Sequence, residues 1–217
     1  MLSAWAASSI SAAATLSPVV SMPLVVHRRR RRKRMPWSIR VCLVAFVLLL
    51  LAGLYYMSLI ASPAITPFLS GPAKAPVTSV ASVNMLYIPK IGLALPFNSG
   101  DSSVLEKGAW HRWPERGDPK QGGNFILAGH RFSMGHTPSE TVKKSPFYHL
   151  NKLVVGDSIY IDYASERYEY IVVKHFTVRP SQSEIEAPDG EARLTLYTCT
   201  LAGEADGREV VEATLKQ

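Results

Sequence analysis

The stretch Ala192-Arg193-Leu194-Thr195-Leu196-Tyr197-Thr198-Cys199 decides how this chain is read. Side chains along a β-strand alternate between its two faces. Leu194 and Leu196 therefore share one side, and Thr195, Tyr197 and Cys199 share the other. The leucine side turns to a core, so Cys199 sits at a strand end on the opposite side, a poor address for an inert core thiol. The connection after it, TLAGEADG (200–207), is short and polar. The run REVVEATLK (208–216) can then return antiparallel and bring Arg208 near the strand end holding Cys199. A guanidinium is a permanent cation with several donors. Beside a cysteine it can favour the thiolate, bind a peptide carbonyl, or hold charge that develops on an attacked carbonyl.

Working outward, the same β character continues upstream. MLYIPKIGLALPF (85–97) reads as two strands with a turn near Gly92, Pro89 suiting an edge or a bulge. GGNFILAGHR (122–131) is an apolar strand opened by glycines and closed by a polar pair. SPFYHLNKLVVGD (145–157) resembles a short helical turn followed by a Gly-Asp turn. SIYIDYA (158–164) and RYEYIVVKHFTVRP (167–180) form a hairpin joined by Ser165 and Glu166. Seven or eight short strands with little helix predict a mainly β domain, closed or sandwiched, over residues 84–217. A domain of that size buries a real core.

The segment VCLVAFVLLLLAGLYYMSLI (41–60) carries no charged side chain. As a helix at about 1.5 Å per residue it matches the roughly 30 Å hydrocarbon core of a bilayer. Residues 1–40 hold eight Lys/Arg and no acid, which leaves sixteen basic against seventeen acidic residues in 41–217. The net charge of +7 is thus a juxtamembrane signal rather than a nucleic-acid footprint. It predicts a cytoplasmic, basic, disordered 1–40, a single-pass signal anchor at 41–60 and an extracytoplasmic remainder. A cleaved signal peptide competes, but its apolar stretch is usually about 7–15 residues. Met35 would begin a more compact anchor. Residues 61–83 contain Pro63, Pro67, Pro72 and Pro76 and predict an extended stalk.

The chain has two cysteines. Cys42 lies at the cytoplasmic edge of the predicted span and Cys199 in the exported part, so they do not pair. A lone exported thiol is either buried and inert or used in chemistry. Cysteine chemistry on a peptide also needs an acid for the leaving amine, and histidine fits that task. Of six histidines, His130 ends the strand GNFILAGH, with Gly129 before it lending backbone freedom and Arg131 after it.

The run NFILAGHR, then FYHL and VVGDSIYI, then Tyr168-Glu169-Tyr170, then LTLYTC with Arg208 and two valines downstream, resembles the order of motifs in the sortase family. YIPKIGLALPF is similar to that family's first strands, and Gly108 to the glycine closing its next short segment. The likeness covers about residues 84–216. It implies a closed eight-stranded β-barrel with short helices and a His-Cys-Arg active site. Carried over, Cys199 attacks the peptide bond of a Leu-Pro-x-Thr-Gly-like sorting signal to form a thioacyl enzyme. His130 protonates the departing amine, Arg208 positions substrate and steadies the oxyanion, and Thr198 helps to place substrate. An amine on a peptidoglycan precursor or a pilin lysine then resolves the thioester. The implied partners are surface proteins or pilins bearing the signal, with a membrane and without nucleic acid or cofactor.

Some relatives have a lid with an Asp-Pro-aromatic motif. Asp118-Pro119 here is followed by Lys120 and lies inside the barrel region. Calcium is suggested only by the composition of Asp157, Glu184, Glu186, Asp189 and Glu191, whose spacing fits a solvated acidic loop better. No HExxH, CxxC or phosphate-cradling glycine loop occurs. AWHRWPERGDPK (109–120) reads as a surface loop with tryptophans packed on the barrel. The rival to an enzyme is a non-catalytic, membrane-tethered β domain binding envelope polymer or a partner protein.

Overall fold

The structure is a computed structural model. It describes residues 35–70, 80, 83–188, 190 and 192–216, with backbone alone for 67–70. The chain divides into two units, 1–43 and 44–217. The described part of the first is the opening of one helix, and the barrel lies wholly in the second.

The strands are β1 (Met85–Ile88), β2 (Leu93–Ser99), β3 (Ala109–Arg112), β4 (Gly117–Asp118), β5 (Gly122–Ala128), β6 (Ser158–Tyr163), β7 (Glu166–Val178), β8 (Arg193–Thr200) and β9 (Gly203–Leu215). Eight of them form a ring in the order β3-β2-β1-β6-β7-β9-β8-β5, which the antiparallel pairing of β3 with β5 closes. β4 is a two-residue hook on β5 outside that ring. Closure pairs each of the eight ring strands on both sides, so none of these eight is an edge strand. The expected eight-stranded barrel is what the chain forms.

The barrel interior is filled by the faces that alternation predicts. Leu194 and Leu196 meet Phe125, Leu127, Val211 and Ala213 there, with Leu86, Ile88, Ile159, Ile161 and Tyr170 across the core. Each such side chain contributes about 1.5–3 kcal/mol by leaving water. A smaller apolar cluster covers the outer faces of β5, β8 and β9: Ile126, Ala128, Tyr197 and Val210 lie under Ile185. Strands covered on both sides read as continuous apolar runs, which is why FILA in β5 does not alternate.

Four expectations need correction. AWHR is not surface loop: it is β3, the strand that shuts the barrel, with Ala109 and His111 buried. The β6–β7 turn is made by Ala164 and Ser165, both left-handed (φ 50° and 66°), and Glu166 already pairs with Tyr163. Two left-handed central residues give the twist that two-residue hairpins need. Pro89 lies not on a strand but at the head of a short 3-10 turn, Pro89–Ile91.

The stalk is the fourth. One helix, α1, runs Trp37–Ser70, so residues 61–70 are helical rather than extended. A helix proline lacks the N–H that would bond the carbonyl four residues back. Pro63 frees the Leu59 carbonyl, and the Ser62 hydroxyl donates to it at 2.9 Å. Pro67 frees the Pro63 carbonyl, and His149 Nε2 donates to that one at 2.9 Å. The helix survives because both orphans are satisfied. Of the remaining predicted stalk, 71–79, 81 and 82 lie outside the described residues, as do 1–34.

Candidate functional site

β5 and β8 run side by side in parallel, with Ala128 opposite Tyr197. The ladder continues one step further, because the Gly129 N–H donates to the Tyr197 carbonyl at 3.2 Å. His130 therefore leaves the sheet level with Thr198 and Cys199. Its own carbonyl accepts from the Phe147 N–H at 3.1 Å, which fixes the loop that follows. Gly129 is not left-handed; its role is close approach. A Cβ at this position would meet ring carbons of Phe147 at 2.7–3.0 Å, so Gly is demanded by packing and not by backbone freedom.

Cys199 is a free, half-buried thiol. Its partner across the β8–β9 ladder is Arg208, and the register shifts just after it, between Cys199 and Thr200. The polar connection is shorter than expected, since Thr200 pairs with Gly203 and the chain turns on Leu201-Ala202. The Arg208 guanidinium donates to the carbonyls of Glu204 (2.7 Å) and Gly207 (3.1 Å), with Glu204 Oε1 3.7 Å away.

His130, Cys199 and Arg208 line one cleft of about 270 Å³, whose walls include Ser102, Leu105, Trp110, Arg112, Tyr197 and Thr198. Thr198 borders it too, but alternation sets its side chain on the Leu196 side, away from Cys199. That side chain is buried, and its hydroxyl has no protein partner. His130 Nε2 lies 3.5 Å from Glu106 Oε1. Lys144 stands 2.9 Å from the other oxygen of that carboxylate and is the main cause holding Glu106 below its usual range.

The far wall was missed in the sequence. Tyr197 shares the Cys199 face, and its hydroxyl donates to Glu186 Oε1 (2.6 Å) and accepts from Arg112 Nη1 (2.9 Å). Trp113 Nε1 donates to Glu186 Oε2 at 2.9 Å, and Arg112 packs over the rings of Trp110 and Trp113. Burial, reinforced by Glu186, pushes the Tyr197 phenol well above its ordinary value. The β7–β8 connection is strapped down further by Asn124, whose amide donates to the Ile185 and Ala187 carbonyls. Of the acidic residues read as a solvated loop, Glu184 is exposed but Glu186 is buried and structural. Asp157 pairs with Lys90 at 2.8 Å, while Asp189 and Glu191 lie outside the described residues. Among the described residues no His, Cys, Asp or Glu group is arranged to hold a metal. Asp118 closes its own turn by accepting from the N–H groups of Lys120 and Gln121.

Behind the cleft, at the mouth of the barrel interior, Glu209 joins His175 Nε2 (2.5 Å) to the buried Arg131 (3.5 Å). Burial pulls the Arg131 guanidinium below its ordinary value, and Glu209 offsets part of that. This pair ties the residue after His130 to the residue after Arg208.

The closed barrel thus brings one thiol, an imidazole and a guanidinium to one cleft at neighbouring strand ends, and this defines a class of closed β-barrel proteins with a thiol-bearing cleft. The sortase domain model matches residues 86–216, more than half of the sequence, and the chain belongs to the sortase family, whose members are transpeptidases. Sortase SrtE1 of Streptomyces coelicolor is 31% identical over 134 residues, covering 54% of this chain and 35% of that protein. The match thus spans about a third of that relative's length. Sortase A of Bacillus anthracis is 28% identical over 151 residues, covering 69% of this chain and 67% of that one. The solved structure of Listeria monocytogenes sortase A shares the fold at TM-score 0.54 and 25% identity, over 62% of this chain and 87% of that one. One helix of the chain, Trp37–Thr66 by composition, is long and apolar enough to cross a membrane.

Proposed function

We propose that this chain is a cysteine transpeptidase acting on Leu-Pro-x-Thr-Gly-like sorting signals of surface proteins. The observation that carries the reading is the meeting of Cys199, His130 and Arg208 in one cleft on the outer face of the barrel. Cys199 Sγ attacks the carbonyl carbon of the scissile peptide, and the electron pair moves to the carbonyl oxygen. The Arg208 guanidinium steadies that oxyanion, exchanging a bond to a carbonyl of its own loop for one to substrate. Collapse of the tetrahedral adduct breaks the C–N bond, and His130 gives the leaving amine its proton. The thioester is then attacked by an amine that returns a proton to His130, an amide forms and the thiolate departs. The hydrophobic wall of Leu105, Trp110 and Tyr197 receives the apolar side chains of the signal.

The acceptor amine belongs to a peptidoglycan precursor or a pilin lysine. The helix over 41–60 anchors the chain, with its basic N-terminus cytoplasmic and the barrel outside. Anchoring enzyme and substrate at one surface raises the effective concentration of each for the other.

The test uses the full chain in detergent with a panel of Leu-Pro-x-Thr-Gly-type peptides and a small amine. Mass spectrometry should find a thioacyl adduct on Cys199 and an amine-capped product. Cys199→Ala should abolish both while the far-ultraviolet spectrum is unchanged. An adduct absent across the panel, with Cys199 still readily alkylated, would overturn the proposal in favour of a non-catalytic envelope-binding domain.

A further inference from the structure

Helix α1 changes character along its length. From Met35 to Ser58 every residue is exposed, although most are apolar. From Leu59 onward one side is covered: Leu59 is 4% exposed, Pro63 is buried, and the Pro63 carbonyl is bonded by His149. The change falls just past Tyr55-Tyr56. Trp37 lies eighteen positions before Tyr55, about 27 Å of helix, close to one hydrocarbon thickness. Tryptophan and tyrosine gather at the two membrane–water boundaries. Tyr55 and Tyr56 thus lie in the outer boundary region, within about a turn of the end of the 41–60 span.

The barrel meets the helix at that level. The Tyr55 hydroxyl donates to the His136 carbonyl, in the loop that leads from His130 to the short helix Pro138–Lys144. Two large apolar side chains of this loop face outward, Phe132 at 37% and Met134 at 48% exposure. Phe132 has one ring neighbour, Tyr148, edge-on at 6.5 Å. The bond to Tyr55 sets the exposed apolar groups of this loop at the level of the tyrosine pair.

We propose that residues 132–136 are a lipid-contact loop, with Phe132 and Met134 seated at the boundary between headgroups and acyl chains of the membrane that α1 crosses. The proposal rests on the anchor reading given under the proposed function. Because the loop begins next to His130, seating it holds the cleft at a fixed height over the lipid and favours signals presented from that same surface.

The experiment places the full chain in phosphatidylcholine–phosphatidylglycerol nanodiscs that contain a lipid with a diazirine near the acyl carbonyl. After photolysis, lipid adducts are mapped by peptide mass spectrometry. The expected result is adducts at Phe132 and Met134 together with adducts along α1. In a Phe132→Ser/Met134→Ser variant the loop adducts are lost while those on α1, and the rate of Cys199 alkylation, are unchanged. Adducts on α1 with none on the loop would overturn the proposal and leave the anchor standing. Release of the chain from the discs with no adduct on α1 would remove the anchor reading and the proposal together.

Discussion

Replacing Glu186 by Gln removes one charge and keeps the shape. Glu186 uses one oxygen for the Tyr197 hydroxyl and the other for Trp113 Nε1, with Arg112 Nε 3.2 Å from the first. A glutamine offers one oxygen and one NH2 group. If its oxygen faces Tyr197, its NH2 confronts the Trp113 N–H, donor against donor. Arg112 also loses its counter-charge, although about a third of its side chain is exposed to water, which softens the loss. One buried charge-assisted bond is reduced to a neutral one and one donor is orphaned, so stability should fall by about 1–3 kcal/mol. For a domain of this size that lowers Tm by roughly 3–10 °C. The assay is thermal unfolding followed by near-ultraviolet circular dichroism, with Glu184→Gln as the control. Glu184 is an exposed neighbour, and its change should stay within about 0.5 kcal/mol. Equal Tm values for the two variants would refute the view that Glu186 ties the β7–β8 connection to the cleft.

Gly129→Ala should destabilise by about 1–3 kcal/mol, because the new methyl overlaps the Phe147 ring. It should also slow thioacyl formation by shifting His130, and Phe147→Leu in the same chain should restore part of both; a second change that makes matters worse would count against the packing account. Acid should weaken the barrel through His111. Its Nε2 donates to the Gly117 carbonyl (3.3 Å) and its Nδ1 accepts from Ser99 (3.2 Å), and burial holds it below its ordinary 6.5. The folded state then binds fewer protons than the unfolded one, so this stability is complete above pH 6.5 and declines as pH falls beneath it. Denaturant midpoints from pH 7.5 to 5 should show that decline, and His111→Gln should flatten it.

Strand faces were readable because alternation is local. Leu194, Leu196 and Cys199 fell on the sides that the structure shows, and the return of β9 set Arg208 across from Cys199. Glu186 was not readable, since nothing in its neighbourhood of the chain reveals Tyr197 and Trp113, brought to it by β8 and β3. The same holds for Glu106 beside His130 and for the Arg131–Glu209–His175 link. The β3 strand was obscured by its aromatic and basic residues: Trp110 and Arg112 line the cleft, and His111 is buried. Helix through Pro63 and Pro67 went unseen because proline normally stops one, and the groups that relieve it are a neighbouring serine and a histidine 86 residues away.

The parallel pairing of β5 with β8 also bears on how the chain folds. Its first partners, Asn124 and Arg193, are 69 positions apart, and β8 must slot between β5 and β9. Such distant pairings form late, because the intervening chain must be ordered first. The contact that sets His130 beside the strand carrying the thiol is therefore a long-range one. Arg208 reaches Cys199 through the local β8–β9 hairpin, whereas His130 comes level with it only once β5 has paired with β8. Thiol and guanidinium are thus neighbours by a short turn, and thiol and imidazole by a pairing that spans a third of the chain.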